Sequence, residues 1–85
     1  MKKSKKSKAL YTAGKVLTIS KQGRVIIKLG EHVPRLGERV YDRNLKYVGV
    51  VVDVIGNVKS PYAVIRPLST KDLRGLVDKT LYFKG

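Results

Sequence analysis

The sequence predicts an all-β fold, a small antiparallel barrel. Three observations point there. Short β-branched runs follow one another closely, Gly-, Pro- and Asn-containing turns separate them, and no long amphipathic helical period occurs in the 85 residues. Closure into a barrel also hides the strand edges that a flat sheet leaves open to other chains. A chain this short has room for one core only. That core must be built from Val, Ile and Leu, because there are no cysteines for a disulfide or a thiolate metal site.

Residues 1–10 read as a basic arm. MKKSKKSK carries Lys2, Lys3, Lys5, Lys6 and Lys8 and no acid, and a lysine–serine run with nothing to bury is expected to be disordered. The domain proper is expected over 11–85. GKVLTIS (14–20) is β-branched and leads into KQG, where Gly23 takes the positive φ of a tight hairpin. RVIIKL (24–29) alternates, with Val25, Ile27 and Leu29 inward and Arg24, Ile26 and Lys28 outward. GEHVPRLGE (30–38) is a loop, RVYD (39–42) a short strand and RNLK (43–46) a turn.

YVGVVVDVI (47–55) is the longest strand. Its unbroken row Val48, Val50, Val52 and Val54 is the expected inward face, which leaves Tyr47, Gly49, Val51, Asp53 and Ile55 outward. YAVIRP (62–67) returns with Ala63 and Ile65 inward and Tyr62 and Val64 outward, and Pro67 limits its far end. STKDLRG (69–75) is the only helix-like piece, with Ser69 or Thr70 as cap and Asp72 near the positive end of the dipole. LYFK (81–84) supplies the last strand.

Charge dominates the composition. Nineteen Lys and Arg against six Asp and Glu give +13, and the chain keeps +8 without its first eight residues. A field of that sign selects nucleic acid, an acidic partner or an anionic surface. No apolar run approaches the roughly 20 residues of a membrane span, and the lysine-rich start leads into no continuous apolar segment. A soluble, intracellular protein with no membrane partner is expected. The arm lysines are candidates for RNA phosphate contact as well as for plain solubility. Arg24, Lys28, Arg35, Arg39, Arg43 and Lys46 are further positioning charges. RNP-type aromatic runs, a GXXG loop and zinc-finger spacing are missing. Six aromatics do not suggest a base-stacking platform.

Catalytic groupings are equally scarce. His32, beside Glu31, is the sole histidine and is expected to be solvated. The acids Glu31, Glu38, Asp42, Asp53, Asp72 and Asp78 are scattered. Asp53, set among valines, is expected to accept backbone hydrogen bonds or to pair with a cation. No catalytic residue, metal site or cofactor is expected, and the chain does not read as an enzyme. What it does offer is a surface. If 47–55 and 62–67 pair as a hairpin, Val51, Ile55, Tyr62 and Val64 gather outside the barrel, where an apolar patch rimmed by charge marks a docking site; the competing reading is that the LYFK segment or the basic arm folds over it. Tyr62, an amphipathic ring beside the rigid Pro61, is its expected anchor.

The run GVVVDVIGNVKSPY (49–62) resembles the Gar subunit of H/ACA ribonucleoproteins. GKVLTISKQGRVIIKL (14–29) looks like that family's opening hairpin. PRLGERVYDRNLKYVG (34–49) looks like its turn into the central strand, and LVDKTLYF (76–83) like its closing strand. The resemblance implies a six-stranded barrel similar to domain 2 of translation elongation factors. It implies a non-catalytic, monomeric subunit that binds the catalytic domain of a pseudouridine synthase in a complex guided by H/ACA RNA. There the family supports uridine-to-pseudouridine conversion in ribosomal RNA and the loading and release of substrate.

Carried onto this sequence, the interface candidates are Val51, Asp53, Gly56, Val58, Pro61 and Tyr62, and Asn57 stands where the family often has proline. Compact length and a plain lysine arm, without the Gly-Arg-rich stretches of eukaryotic relatives, look archaeal, which implies the cytoplasm; a eukaryotic relative would be nucleolar. The family is also similar to an assembly factor that shares the core. From the residues alone, an autonomous RNA-binding barrel of the translation apparatus is the competing reading.

Overall fold

In the computed structural model, which describes residues 10–57, 59–69 and 71–84, six strands close into one antiparallel barrel. They are β1 (Leu10–Ile19), β2 (Val25–Leu29), β3 (Arg39–Tyr41), β4 (Tyr47–Asn57), β5 (Ser60–Pro67) and β6 (Thr80–Lys84). Around the barrel the order is β1-β2-β5-β4-β3-β6, and β6 returns to pair with β1. Strand β1 begins at Leu10, inside the predicted arm, and its length lets it serve two neighbours. Its N-terminal half pairs with β6 and its C-terminal half with β2. Bulges at Ala13 and Leu17 give the extra bend this requires. Gly14 lies where the seams meet: a Cβ there would run into the Lys28 carbonyl of β2. The first hairpin turns as expected, with Gly23 at φ 80° and the Ser20 carbonyl accepting from the Gly23 N–H at 2.9 Å.

The core is aliphatic, with one ring. Val16, Val25, Ile27, Val40, Val51, Ile65, Leu81 and Phe83 are fully enclosed, joined by Ala13, Leu29 and Ala63. The alternation predicted for 24–29 and 62–67 holds: Val25, Ile27, Leu29, Ala63 and Ile65 face inward.

Strand β4 does not keep one phase: Val48 packs against the core as expected, but the prediction for Val50 to Val52 is reversed. Val51 pairs with Ile65 and Asp53 with Val64, so Val52 is an extra residue bulged out of the ladder. Before the bulge, Gly49 and Val51 are the buried positions; after it, Val54 packs on the core. Val52, expected inside, is 37% exposed, whereas Val51, expected outside, is 1% exposed. The reason is long-range. Val51 donates to the Glu38 carbonyl at 2.9 Å and accepts from the Gly37 N–H at 2.7 Å. That clamp fixes its side chain against the facing wall of the barrel. Gly49 permits the tight crossing, since a Cβ there would meet the Arg66 carbonyl.

Of the helix-like piece, the described residues form only the short turn expected of it, without the expected cap; Thr70, one of the two cap candidates, lies outside the described residues. A single 3₁₀ turn runs over Leu73–Leu76, preceded by Asp72 in the left-handed region with no side-chain cap. The Ser69 hydroxyl instead accepts from the Lys71 N–H at 3.2 Å. Leu73 and Leu76 pack against the core from this turn. Val16 anchors the approach to β6 by exchanging hydrogen bonds with Asp78 and Lys79, each 2.9 Å.

Candidate functional site: two exterior faces

The register places outward side chains in rungs across β1, β2, β5 and β4. One rung runs Thr18–Ile26–Val64–Asp53, and the next Lys15–Lys28–Tyr62–Ile55. The two bulges add Leu17 at one side and Val52 at the other. Leu17 is 55% and Ile55 45% exposed, while Ile26, Tyr62 and Val64 are half-buried in one another's company. No other described segment covers this face. Lys15, Lys28 and Arg66 are its exposed cations.

Of the predicted interface residues, Asp53, Ile55, Tyr62 and Val64 therefore share one surface. Val51 is removed from it, because it belongs to the core. Gly56 and Pro61 pair with each other at the end of the β4–β5 hairpin, and Val58 lies outside the described residues, as do Lys2, Lys3, Lys5, Lys6 and Lys8. Ile26, Leu17 and Val52 join the surface beyond the residues expected there. For Ile26 the sequence does carry a signal: it is the outward apolar residue in an otherwise clean alternation.

The hairpin end is set by two residues. The Asn57 Oδ1 accepts from the Lys59 and Ser60 N–H groups, both at 2.9 Å, an Asx cap that closes the turn without the family's proline. Gly56 holds φ 93°, and a Cβ there would lie 2.6 Å from the Ser60 carbonyl oxygen and 3.2 Å from the Tyr62 ring. Gly56→Ala is expected to cost about 1–3 kcal/mol, read as a lower denaturation midpoint with an unchanged m-value.

Asp53 meets one of its expectations. Its Oδ1 accepts from the Val54 N–H at 2.8 Å, and the residue is exposed. His32 meets its own in part, since its side chain is 40% exposed while its Nε2 is buried. It stacks flat on Tyr11, with centroids 5.2 Å apart and an 8° interplanar angle, and tilts against Phe83. Its Nε2 stands 3.4 Å from the Glu38 carboxylate. Among the described residues, no group of three or more potential metal ligands occurs.

The opposite side of the barrel has a different character. In the ring order, β3 and β6 lie across from β2 and β5. Val40 and the flanking Leu81 and Phe83 point inward, so Tyr41 and Tyr82, directly paired across β3 and β6, point outward. Tyr47 packs beside Tyr41 with centroids 5.8 Å apart and a 37° tilt. The Arg39 guanidinium lies 5.2 Å over the Tyr47 ring, and the Lys84 ammonium 5.7 Å over the Tyr41 ring. Three of five tyrosines thus gather on a face whose residues are scattered through the sequence, which is why composition concealed it.

Comparison with curated proteins gives no match. Among solved structures, the chain is similar to one titled "Structure of the Gar1 domain of NAf1", with TM-score 0.74 and 14% identity, covering 96% of this chain and 88% of that one. That likeness concerns the fold. Residues 10–85 match the sequence model described as "Gar1/Naf1 RNA binding region". The match takes in all six strands, and the chain belongs to the Gar1/Naf1 family.

Proposed function

We propose that this protein is a non-catalytic subunit of an H/ACA RNA-guided pseudouridylation particle. It docks through the exterior of β1, β2, β5 and β4 on the catalytic domain of the pseudouridine synthase, and from there supports loading and release of the substrate RNA. The observation that carries this reading is the apolar face of Ile26, Val52, Ile55, Tyr62 and Val64, with Lys15 and Arg66 at its edges and Lys28 beside Tyr62. Family membership supplies the setting, and the geometry supplies the surface. An apolar centre with a charged rim is the anatomy of a protein interface.

Titration of the full chain into the synthase catalytic domain by calorimetry tests this. Tyr62→Ala is expected to weaken the complex by about 30-fold, the effect of losing an anchor of roughly 2 kcal/mol, with the melting temperature of the free protein little changed. Equal affinity for wild type and variant would refute the docking assignment. If instead the isolated chain bound guide RNA at nanomolar affinity with a steep salt slope, while the synthase did not bind, the autonomous RNA-binding reading would replace it.

A further inference from the structure

We propose that the exterior of β3 and β6, with Tyr47 of β4, is a single-stranded RNA platform on which Tyr41, Tyr47 and Tyr82 stack bases while Arg39 and Lys84 hold the phosphates. The proposal builds on the RNA-associated part of the proposed function and does not need the synthase contact.

Geometry dictates the chemistry. Tyr41 and Tyr82 are adjacent across a strand pair, and Tyr47 extends the row across the β3–β4 pair. Neighbouring strands stand about 4.8 Å apart, so three successive strands present three rings within reach of consecutive unstacked bases. Each of two ring faces has a cation over it. Both cations are on exposed residues, and a solvated cation–π contact is weaker than a base stacked on the same ring. An arriving base therefore displaces the cation, which moves outward to the phosphate beside that base. The β3–β4 turn adds the exposed Arg43 and Lys46. Two acids border this face: Asp42 is turned to its own loop, its Oδ1 accepting from the Asn44 and Lys46 N–H groups at 2.8 and 2.9 Å, and Asp78 shares a cleft with Tyr82 in which Arg43 and Lys79 offset it. The charge thus complements a polyanion. The ring order, with this face across the barrel from the docking face, lets one small domain hold a protein on one side and an RNA strand on the other.

The test uses the full chain and a labelled oligouridylate of about ten nucleotides, a length within the range one small barrel covers, beside an RNA duplex of equal length. Affinity is read by anisotropy and stacking by quenching of tyrosine emission, which is clean because the chain has no tryptophan. The single strand is expected to quench the emission and to bind at least tenfold tighter than the duplex. Tyr41→Ala with Tyr82→Ala is expected to weaken it about tenfold or more, and the corresponding Phe pair to stay within about twofold. Lys84→Glu, on the surface and safe for folding, is expected to weaken binding and to lower the salt slope by about one.

Equal binding of duplex and single strand, or oligouridylate affinity untouched by both the Ala pair and Lys84→Glu, would overturn the proposal. So would loss of synthase affinity in a folded Ala pair, since the face would then be a protein contact. Failure of the synthase docking reading shows separately, as a Tyr62→Ala variant with full synthase affinity, and leaves this result standing.

Discussion

Val51→Asp is expected to abolish the fold. Val51 lies 1% exposed in the centre of the barrel wall, opposite Ile65 and among the fully enclosed side chains. None of the buried residues is polar among those described, so a carboxylate placed there finds no partner. A lone buried charge costs several kcal/mol even after the structure relaxes, and the valine's own burial is lost as well. A small domain holds a total of about 5–15 kcal/mol, and an 85-residue barrel without disulfides belongs near the lower end. Circular dichroism and urea titration should find the variant unfolded or only marginally folded at 25 °C. Retention of a wild-type melting temperature would place Val51 on the surface and discard the β4 register with it.

That register is also the part of the fold least legible in the sequence, and the reason is physical. In β2 and β5 the polar–apolar alternation is strong enough to fix the inward face, because Lys28 and Arg66 stand out of phase with Ile27 and Ile65. In β4 the run Val50 to Val52 carries no alternation, so either parity is locally acceptable. The choice is made elsewhere, by the hydrogen bonds that Val51 shares with Gly37 and Glu38 and by a bulge that admits one extra residue. Neither leaves a mark on the local pattern. Past the bulge the predicted parity is correct, which is why Asp53, Ile55, Tyr62 and Val64 reach one face while Val51 does not. The tyrosine face is hidden for a related reason. Tyr41 and Tyr47 meet in the β3–β4 hairpin, but Tyr82 joins them only through the β3–β6 closure, a pairing between strands some 40 residues apart in the chain.

A second substitution next door should give the opposite result. Val52 is the bulged residue, 37% exposed, and Ile55 is 45% exposed on the same exterior. Val52→Asp combined with Ile55→Asp leaves the core untouched, so surface changes of this kind should shift stability by about 1 kcal/mol or less. Docking should suffer far more. Both carboxylates would be desolvated in the apolar centre of the interface, beside the existing Asp53, and each such loss is worth roughly 2 kcal/mol or more. Taken as nearly additive, the pair weakens the synthase complex by about a thousandfold. A folded double variant that still binds the synthase within tenfold of wild type would show that the partner engages another surface. Read together, Val51→Asp and the Val52/Ile55 pair separate core from contact surface at adjacent positions of one strand. Only a bulge between them explains why Val51 and Ile55, which an unbroken alternation would place on one face, should fail in such different ways.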